Sequence, residues 1–153
     1  TEVRAMTTVK HLLKAKGRQV WSVPPTATLG EALKLMSEKR IGALLIAMDE
    51  KYIQGIFSER DLARMVAETG CVDMQRPVRE LMTEVVYFVT QDHTIEDCMA
   101  LMTQQRIRHL PVVEKGEVKG MISIGDVVKL LIEDKDVTIR SLENFILGRE
   151  LST

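Results

Sequence analysis

Residues 40–61 read RIGALLIAMDEKYIQGIFSERD, and residues 106–126 read RIRHLPVVEKGEVKGMISIGD. Each segment has an apolar run, a polar turn, a second apolar run ending in Gly-x-x-Ser, and an Asp three residues later. Identical residues recur in register within and before the segments, namely Thr28 and Thr94, Met36 and Met102, Arg40 and Arg106, Gly55 and Gly120, Ser58 and Ser123, and Asp61 and Asp126. Agreement of this length, with one gap in a turn, predicts two copies of one folding unit.

Both copies predict the same order of elements: strand, helix, strand, strand, helix. A capping-box pattern at Thr28 and Glu31 opens the first helix, and apolar residues follow it at helical spacing. The predicted strands are Val20–Val23, Ala43–Met48, Ile53–Phe57, Val85–Val89, Leu110–Val113 and Val118–Ile122, and the last helix of each copy is predicted near 59–68 and 125–133. The predicted fold class is α/β (α+β), with two βαββα repeats packed with pseudo-twofold symmetry, sheet face to sheet face. We expect a single shared core, because one repeat of about 60 residues buries too little surface alone.

The domain boundaries follow from the repeats. We expect an N-terminal helical extension at 1–17, repeat one at 18–70, a linker at 71–84, repeat two at 85–133 and a C-terminal helix at 134–153. A helix is predicted over Thr8–Lys16, with Gly17 as its C-cap. The C-terminal helix, predicted at Val137–Leu147, would either cover the core or form a dimer surface. Met6 is predicted to be the natural first residue.

Composition excludes several classes of protein. The 153 residues carry 21 Lys+Arg against 22 Asp+Glu, which argues against a nucleic-acid-binding module. The sequence contains no apolar run long enough to span a bilayer, and no secretion signal is predicted. Of the two cysteines, Cys98 falls in an apolar helical pattern and is predicted to be a buried thiol. A reducing compartment, the cytoplasm, is therefore expected.

The doubled motif resembles the cystathionine-β-synthase (CBS) domain over about residues 18–133. The whole chain is similar to stand-alone tandem CBS domain-pair proteins, which have no attached enzyme or transporter. The resemblance implies that the two repeats form a disc, that the chain forms homodimers, and that adenosine ligands bind in clefts between the repeats.

Each Ser-x-x-Asp motif has two interpretations. Ser58 and Ser123 each follow a predicted strand and begin a helix, where free backbone amides favour anions. Asp61 and Asp126 in the first helical turn would either close a capping box or accept the hydroxyls of a ribose. Because the motif is doubled within a family resemblance, we favour ribose binding, and the same residues could serve both roles.

The groups available for phosphate and adenine differ between the copies. Repeat two offers Arg108 and His109, while repeat one has Arg60 beside its Asp. Arg60 could equally be solvated, His109 could equally belong to the core, and Trp21 is at least as well explained by packing as by stacking on a base. We predict two non-equivalent clefts, one formed by Asp126, Ser123, Arg108, His109, Val20 and Gly42, and the other by Asp61, Ser58, Arg60, Val86, Tyr87 and Arg108.

Sequence motifs of catalysis or metal binding are absent, so we expect neither an enzyme nor a catalytic cofactor. The predicted function is a regulatory module that binds an adenine nucleotide, with AMP or NAD favoured over S-adenosylmethionine because the ligand must face cations. It would signal through the geometry of a homodimer and could regulate an unidentified enzyme in trans. The alternative is a constitutive dimerisation and interaction scaffold without a functional ligand.

Overall fold

The two repeats share the order helix, strand, strand, helix, and repeat one has a further short strand before its first helix. The computed structural model describes residues 7–49, 51–84 and 86–134. Its elements are α1 (Val9–Lys16), β1 (Ser22–Val23), α2 (Leu29–Lys39), β2 (Ala43–Met48), β3 (Tyr52–Ser58), α3 (Glu59–Thr69), a short 3₁₀ helix (Val78–Glu80), α4 (Ile95–Gln105), β4 (His109–Glu114), β5 (Glu117–Ser123) and α5 (Ile124–Asp134). This mixed α and β architecture confirms the predicted fold class. The predicted C-terminal helix at Val137–Leu147 lies outside the described residues.

Capping boxes begin the first helix of each repeat. In α2 the Thr28 hydroxyl accepts a hydrogen bond from the Glu31 amide at 3.1 Å, and the Glu31 carboxylate accepts one from the Thr28 amide at 3.2 Å. Thr94 and Asp97 make the same pair of bonds at the start of α4, at 3.1 and 2.9 Å. These bonds satisfy amides that the helix itself leaves unpaired, which explains why both helices begin at equivalent residues.

Each repeat is completed by an antiparallel hairpin. In repeat one β2 pairs with β3, with Ala43 opposite Ser58, and β1 adds in parallel to β2. In repeat two β4 pairs with β5, with His109 opposite Ser123. The predicted strand at Val85–Val89 is wrong, because within its described part only Val89 forms a bridge, to Val112. Tyr87 and Phe88 in this stretch are instead largely exposed.

The interior consists of two hydrophobic cores rather than the single core expected. The first core surrounds Leu44, Ile46 and Phe57 of repeat one. The second surrounds Leu110 and Ile122 of repeat two. Each sheet therefore packs its helix-facing side into its own core, and the opposite side faces the other repeat.

Each core is finished by the segment that precedes the other repeat. Helix α1 comes before repeat one but places its buried apolar residues in the second core, and Val78 comes before repeat two but lies in the first core. Backbone bonds fix this exchange, since the Ile95 amide donates to the Thr7 carbonyl at 3.0 Å and the Leu29 amide donates to the Arg76 carbonyl at 2.8 Å. We call this arrangement the crossed packing. It carries the last residue of α1 to the strand-to-helix junction of repeat two.

Candidate functional site

The strand-to-helix junction of each repeat holds a carboxylate in a fixed orientation. In repeat one the Asp61 Oδ2 accepts hydrogen bonds from the Ser58 amide at 2.8 Å and the Ser58 hydroxyl at 3.1 Å. In repeat two the Asp126 Oδ2 accepts the same bonds from Ser123, at 2.8 and 2.9 Å. The capping interpretation is thus confirmed at both motifs, and the caps leave the second oxygen of each carboxylate for other partners.

Asp61 is 7% exposed and has a further partner that the sequence did not indicate. The Thr83 hydroxyl donates to the Asp61 Oδ1 at 3.0 Å. The Thr83 backbone is held in place by two bonds with Ile56, at 2.8 and 3.0 Å. Thr83 precedes the second repeat, so no spacing in the sequence relates it to Asp61. It reaches the carboxylate through the crossed packing.

A cavity of about 490 Å³ opens beside Asp61, between the two repeats. It brings together eight of the predicted site residues, namely Gly42, Ser58, Arg60, Asp61, Val86, Tyr87, Arg108 and His109. Of these, Gly42 and His109 were predicted for the cleft of Asp126, and the structure places both in the lining of the Asp61 cavity as well. Gly42 comes directly before β2 and His109 begins β4, so the cavity is lined by the start of a hairpin from each repeat.

Arginines dominate the charge of this cavity. Its lining contains four arginines, two from each repeat, against two carboxylates. The Arg60 guanidinium also donates a hydrogen bond to the Arg106 carbonyl, where α4 ends in a left-handed conformation. Arg60 therefore links the repeats, which explains why it is not simply a solvated first-turn residue. Arg64 and Arg106, both missed by sequence reasoning, add fixed positive charge that suits an anion.

The surroundings of His109 favour the neutral form of its imidazole. Burial lowers the pKa of its imidazole, and the nearby Lys16 ammonium lowers it further, while the Asp126 and Glu59 carboxylates raise it and Arg108 again lowers it. Desolvation disfavours the charged form of an imidazole. The neutral ring can donate or accept a hydrogen bond in the cavity, but the positive charge there belongs to the arginines.

At the second predicted cleft, the Asp126 carboxylate is paired with a lysine of the protein. The Lys16 ammonium, at the end of α1, lies 2.6 Å from the Asp126 Oδ2 and 2.5 Å from the Met121 carbonyl. Burial alone would raise the pKa of Asp126, but hydrogen bonds from Lys16 and Ser123 outweigh it, and the pKa is lowered. Ser123, Asp126 and Val20 do not line the cavity at Asp61. Lys16 was missed because α1 gave no sign of reaching repeat two.

Comparison with known proteins identifies the family. The model for the CBS domain matches residues 7–68 and 78–133 of the chain. The chain belongs to the CBS-domain family. The two matches correspond to the two repeats of the fold, so the protein is a tandem CBS pair.

Three relatives of this CBS pair match it over most of their own length. The mitochondrial CBS domain-containing protein CBSX3 of Arabidopsis thaliana is 31% identical over 93% of this chain and 73% of its own length. A solved structure of a putative signal-transduction protein with CBS domains from Burkholderia ambifaria is 45% identical, covering 87% of this chain and 99% of that one with a TM-score of 0.79. The CBS domain protein PAE2072 of Pyrobaculum aerophilum, solved in complex with AMP, is 27% identical, with coverage of 85% and 99% and a TM-score of 0.71.

The remaining predictions for the CBS pair concern membrane spans, metal sites and the role of Trp21. No helix within the described ranges is long and apolar enough to cross a membrane. In the part of the chain that the structure describes, no three His, Cys, Asp or Glu side chains are grouped so as to hold a metal ion. Trp21 packs against the first core with the Lys39 ammonium 4.4 Å from its ring centre, which favours its structural interpretation. The cytoplasmic location, the domain boundaries and the lack of catalysis stay predictions.

Proposed function

We propose that this CBS pair is a non-catalytic regulatory module that binds an adenosine nucleotide, preferably AMP, in the cavity beside Asp61. The observation that carries the proposal is the meeting of one buried carboxylate, four arginines and an aromatic side chain in a cavity lined by both repeats. A carboxylate accepts hydroxyl groups, whereas guanidinium groups bind phosphate through paired donors. These are the complementary groups of a nucleoside monophosphate.

Each part of the ligand has a partner. The Asp61 carboxylate would accept the ribose hydroxyls, with the Ser58 and Thr83 hydroxyls free to rotate toward other acceptors. Arg108 and Arg60 would bind the phosphate. Val86 and Tyr87, near the start of repeat two, would enclose the adenine. The AMP complex of PAE2072, at 27% identity, supports an adenosine ligand in a fold of this kind.

The charge of the cavity favours particular adenosine ligands. The sulfonium of S-adenosylmethionine would lie among arginines and lose affinity by repulsion. The AMP half of NAD presents the same ribose and phosphate as AMP, so NAD is the second choice. Binding would regulate by population shift, since a nucleotide that contacts both repeats stabilises one arrangement of them only if it prefers that arrangement.

Calorimetric titration of the parent chain and an Asp61→Asn variant with AMP tests this proposal. Losing a charge-assisted bond to the ribose is worth about 1.5–3 kcal/mol, or about 10- to 100-fold in affinity. Asp97→Asn is the matched control, because Asp97 is also a capping carboxylate but does not line the cavity. Equal AMP affinity in Asp61→Asn and the parent would overturn the ribose assignment. No binding of AMP, NAD or S-adenosylmethionine to the parent would favour the scaffold.

The proposed signal requires a homodimer. Val66 of α3 and Val128 and Ile124 of α5 are between 37% and 45% exposed, as apolar interface residues of a free chain would be. Leu131 of α5 packs against the second core, so its substitution would test folding rather than association. Light scattering should give a dimer for the parent and a monomer for Val128→Asp, with Val72→Asp as the exposed control. A parent that is monomeric at every concentration would remove signalling through a dimer.

A further inference from the structure

The two junctions are equivalent in position but differ in what the crossed packing brings to them. In repeat one the segment before repeat two supplies Thr83, whose amide donates to the Ile56 carbonyl and whose hydroxyl donates to Asp61. In repeat two the segment before repeat one supplies Lys16, which donates to Met121 and Asp126. Ile56 aligns with Met121, and Asp61 aligns with Asp126. One lysine ammonium therefore makes both bonds that the Thr83 amide and hydroxyl make.

The two carboxylates differ in how close their cationic partner lies: the exposed Arg64 guanidinium is 3.8 Å from the Asp61 Oδ1, beyond hydrogen-bond distance. The Thr83 backbone pairs with Ile56 in both directions, so only its small neutral hydroxyl faces the carboxylate. The Lys16 ammonium instead forms an ion pair at 2.6 Å, with both side chains partly buried at 33% and 23% exposure. Its bond falls on the same oxygen, Oδ2, that already accepts the Ser123 amide and hydroxyl. A ribose hydroxyl arriving at Asp126 would have to compete with a charge-assisted bond.

We propose that Lys16 acts as a tethered occupant of the Asp126 site, which keeps that site closed so that the chain binds one nucleotide, at Asp61. This inference rests on the proposed function, since it assigns to Asp126 the same ribose-accepting chemistry as Asp61. It makes α1 a regulatory element: a second nucleotide binds only when the Lys16 side chain leaves the carboxylate. The apparent affinity for the second nucleotide is then the intrinsic affinity multiplied by the fraction of molecules in which Lys16 is displaced.

The stoichiometry of AMP binding tests the proposal. Calorimetry on the parent chain should give one AMP per chain, and Lys16→Met, which keeps an unbranched stem but removes the charge, should give two. Lys14→Met is the matched control, because Lys14 is an exposed basic residue in the same turn of α1, and it should bind like the parent. Lys16→Gln provides a second variant, and the helix signal in circular dichroism checks that both variants fold.

The outcomes separate this inference from the proposed function. If the parent and Lys16→Met each bound one AMP, the closure of the Asp126 site by Lys16 would be refuted, and AMP binding at Asp61 would be retained. Two AMP sites in the parent would also refute the closure. No site in the parent but one in Lys16→Met would support the closed site and refute binding at Asp61. No binding in either protein would refute both. In an Asp61→Asn background, adding Lys16→Met should raise AMP affinity at least tenfold, and an unchanged affinity there would also refute the inference.

Discussion

Replacing Gly120 by Ala should destabilise the protein through a residue more than a hundred positions away. A Cβ at Gly120 would lie 2.7 Å from the Leu13 Cδ2 and 3.3 Å from its Cδ1, whereas carbon atoms in contact prefer about 3.5–4.0 Å. Leu13 is 1% exposed in the second core and must retreat by about 1 Å. Such overpacking costs about 1–3 kcal/mol of unfolding free energy. Alanine also restricts the unfolded chain more than glycine does, which offsets about 0.4–1 kcal/mol of this cost.

The cost should disappear when Leu13 is shortened. Leu13→Ala alone should lose about 2–5 kcal/mol by creating a cavity, and Gly120→Ala in that background should be nearly neutral because the methyl then has space. Gly55 provides the contrast, since a Cβ there meets the Met82 side chain at 2.5 Å and the Thr83 carbonyl at 2.9 Å. Thr83 is bonded to the strand backbone, so Gly55→Ala should stay costly even with Met82→Ala.

Urea unfolding followed by circular dichroism measures both double-mutant cycles. A coupling of at least about 1 kcal/mol is expected between positions 13 and 120, well above the few tenths found for independent sites. If Gly120→Ala destabilised the Leu13→Ala background as much as it destabilises the parent, α1 would not pack on repeat two, and the crossed packing would be refuted.

Three further predictions concern titrating groups. Burial raises the pKa of the Cys98 thiol to about 11, whereas Cys71 is exposed. Iodoacetamide should therefore modify only Cys71 in the native protein at pH 8. Equal modification of both cysteines, measured by mass spectrometry, would contradict this prediction. Because burial lowers the pKa of His109 below its ordinary 6.5, the unfolded chain binds more protons, and the unfolding free energy should fall as pH decreases from about 6.5 toward the folded-state pKa. In His109→Gln the unfolding free energy should depend less on pH between pH 7 and 5. An unchanged slope would show that other groups cause the pH dependence. Since the Lys16 cation contributes to this lowering, Lys16→Met should raise the pKa of His109 in an NMR titration, and an unchanged value would contradict the contact.

The sequence predicted those parts of the fold that depend on neighbouring residues. Ala43–Met48 was predicted with its observed bounds, and the helix opened by Thr28 begins where its capping box requires. Val85–Val89 was predicted as a strand from its apolar composition. A strand needs a partner strand, and within the described part of this segment only Val89 forms a bridge. Propensity alone does not supply that partner.

The candidate site was predictable where it is repeated and was missed where it is not. Ser58, Asp61 and Arg108 were found because the motif occurs twice or because the family resemblance marks the position. Thr83 and Lys16 reach the carboxylates through contacts between distant segments, and no periodicity records such contacts. Only the three-dimensional structure, in which the segments before the repeats are exchanged, shows that these residues reach the carboxylates.

That exchange has a consequence for the order in which the protein is made. Synthesis proceeds from the N-terminus, so α1 leaves the ribosome before either repeat, yet the core that it completes contains Ile122 and Val127, which emerge among the last described residues. Until then the apolar face of α1 has no native partner, and repeat two remains open on that side. Neither half of the chain is a finished folding unit, and contacts of such long sequence separation slow folding. A chain released early, before residue 120, would therefore expose Leu12 and Leu13 to the chaperones and proteases that survey nascent proteins.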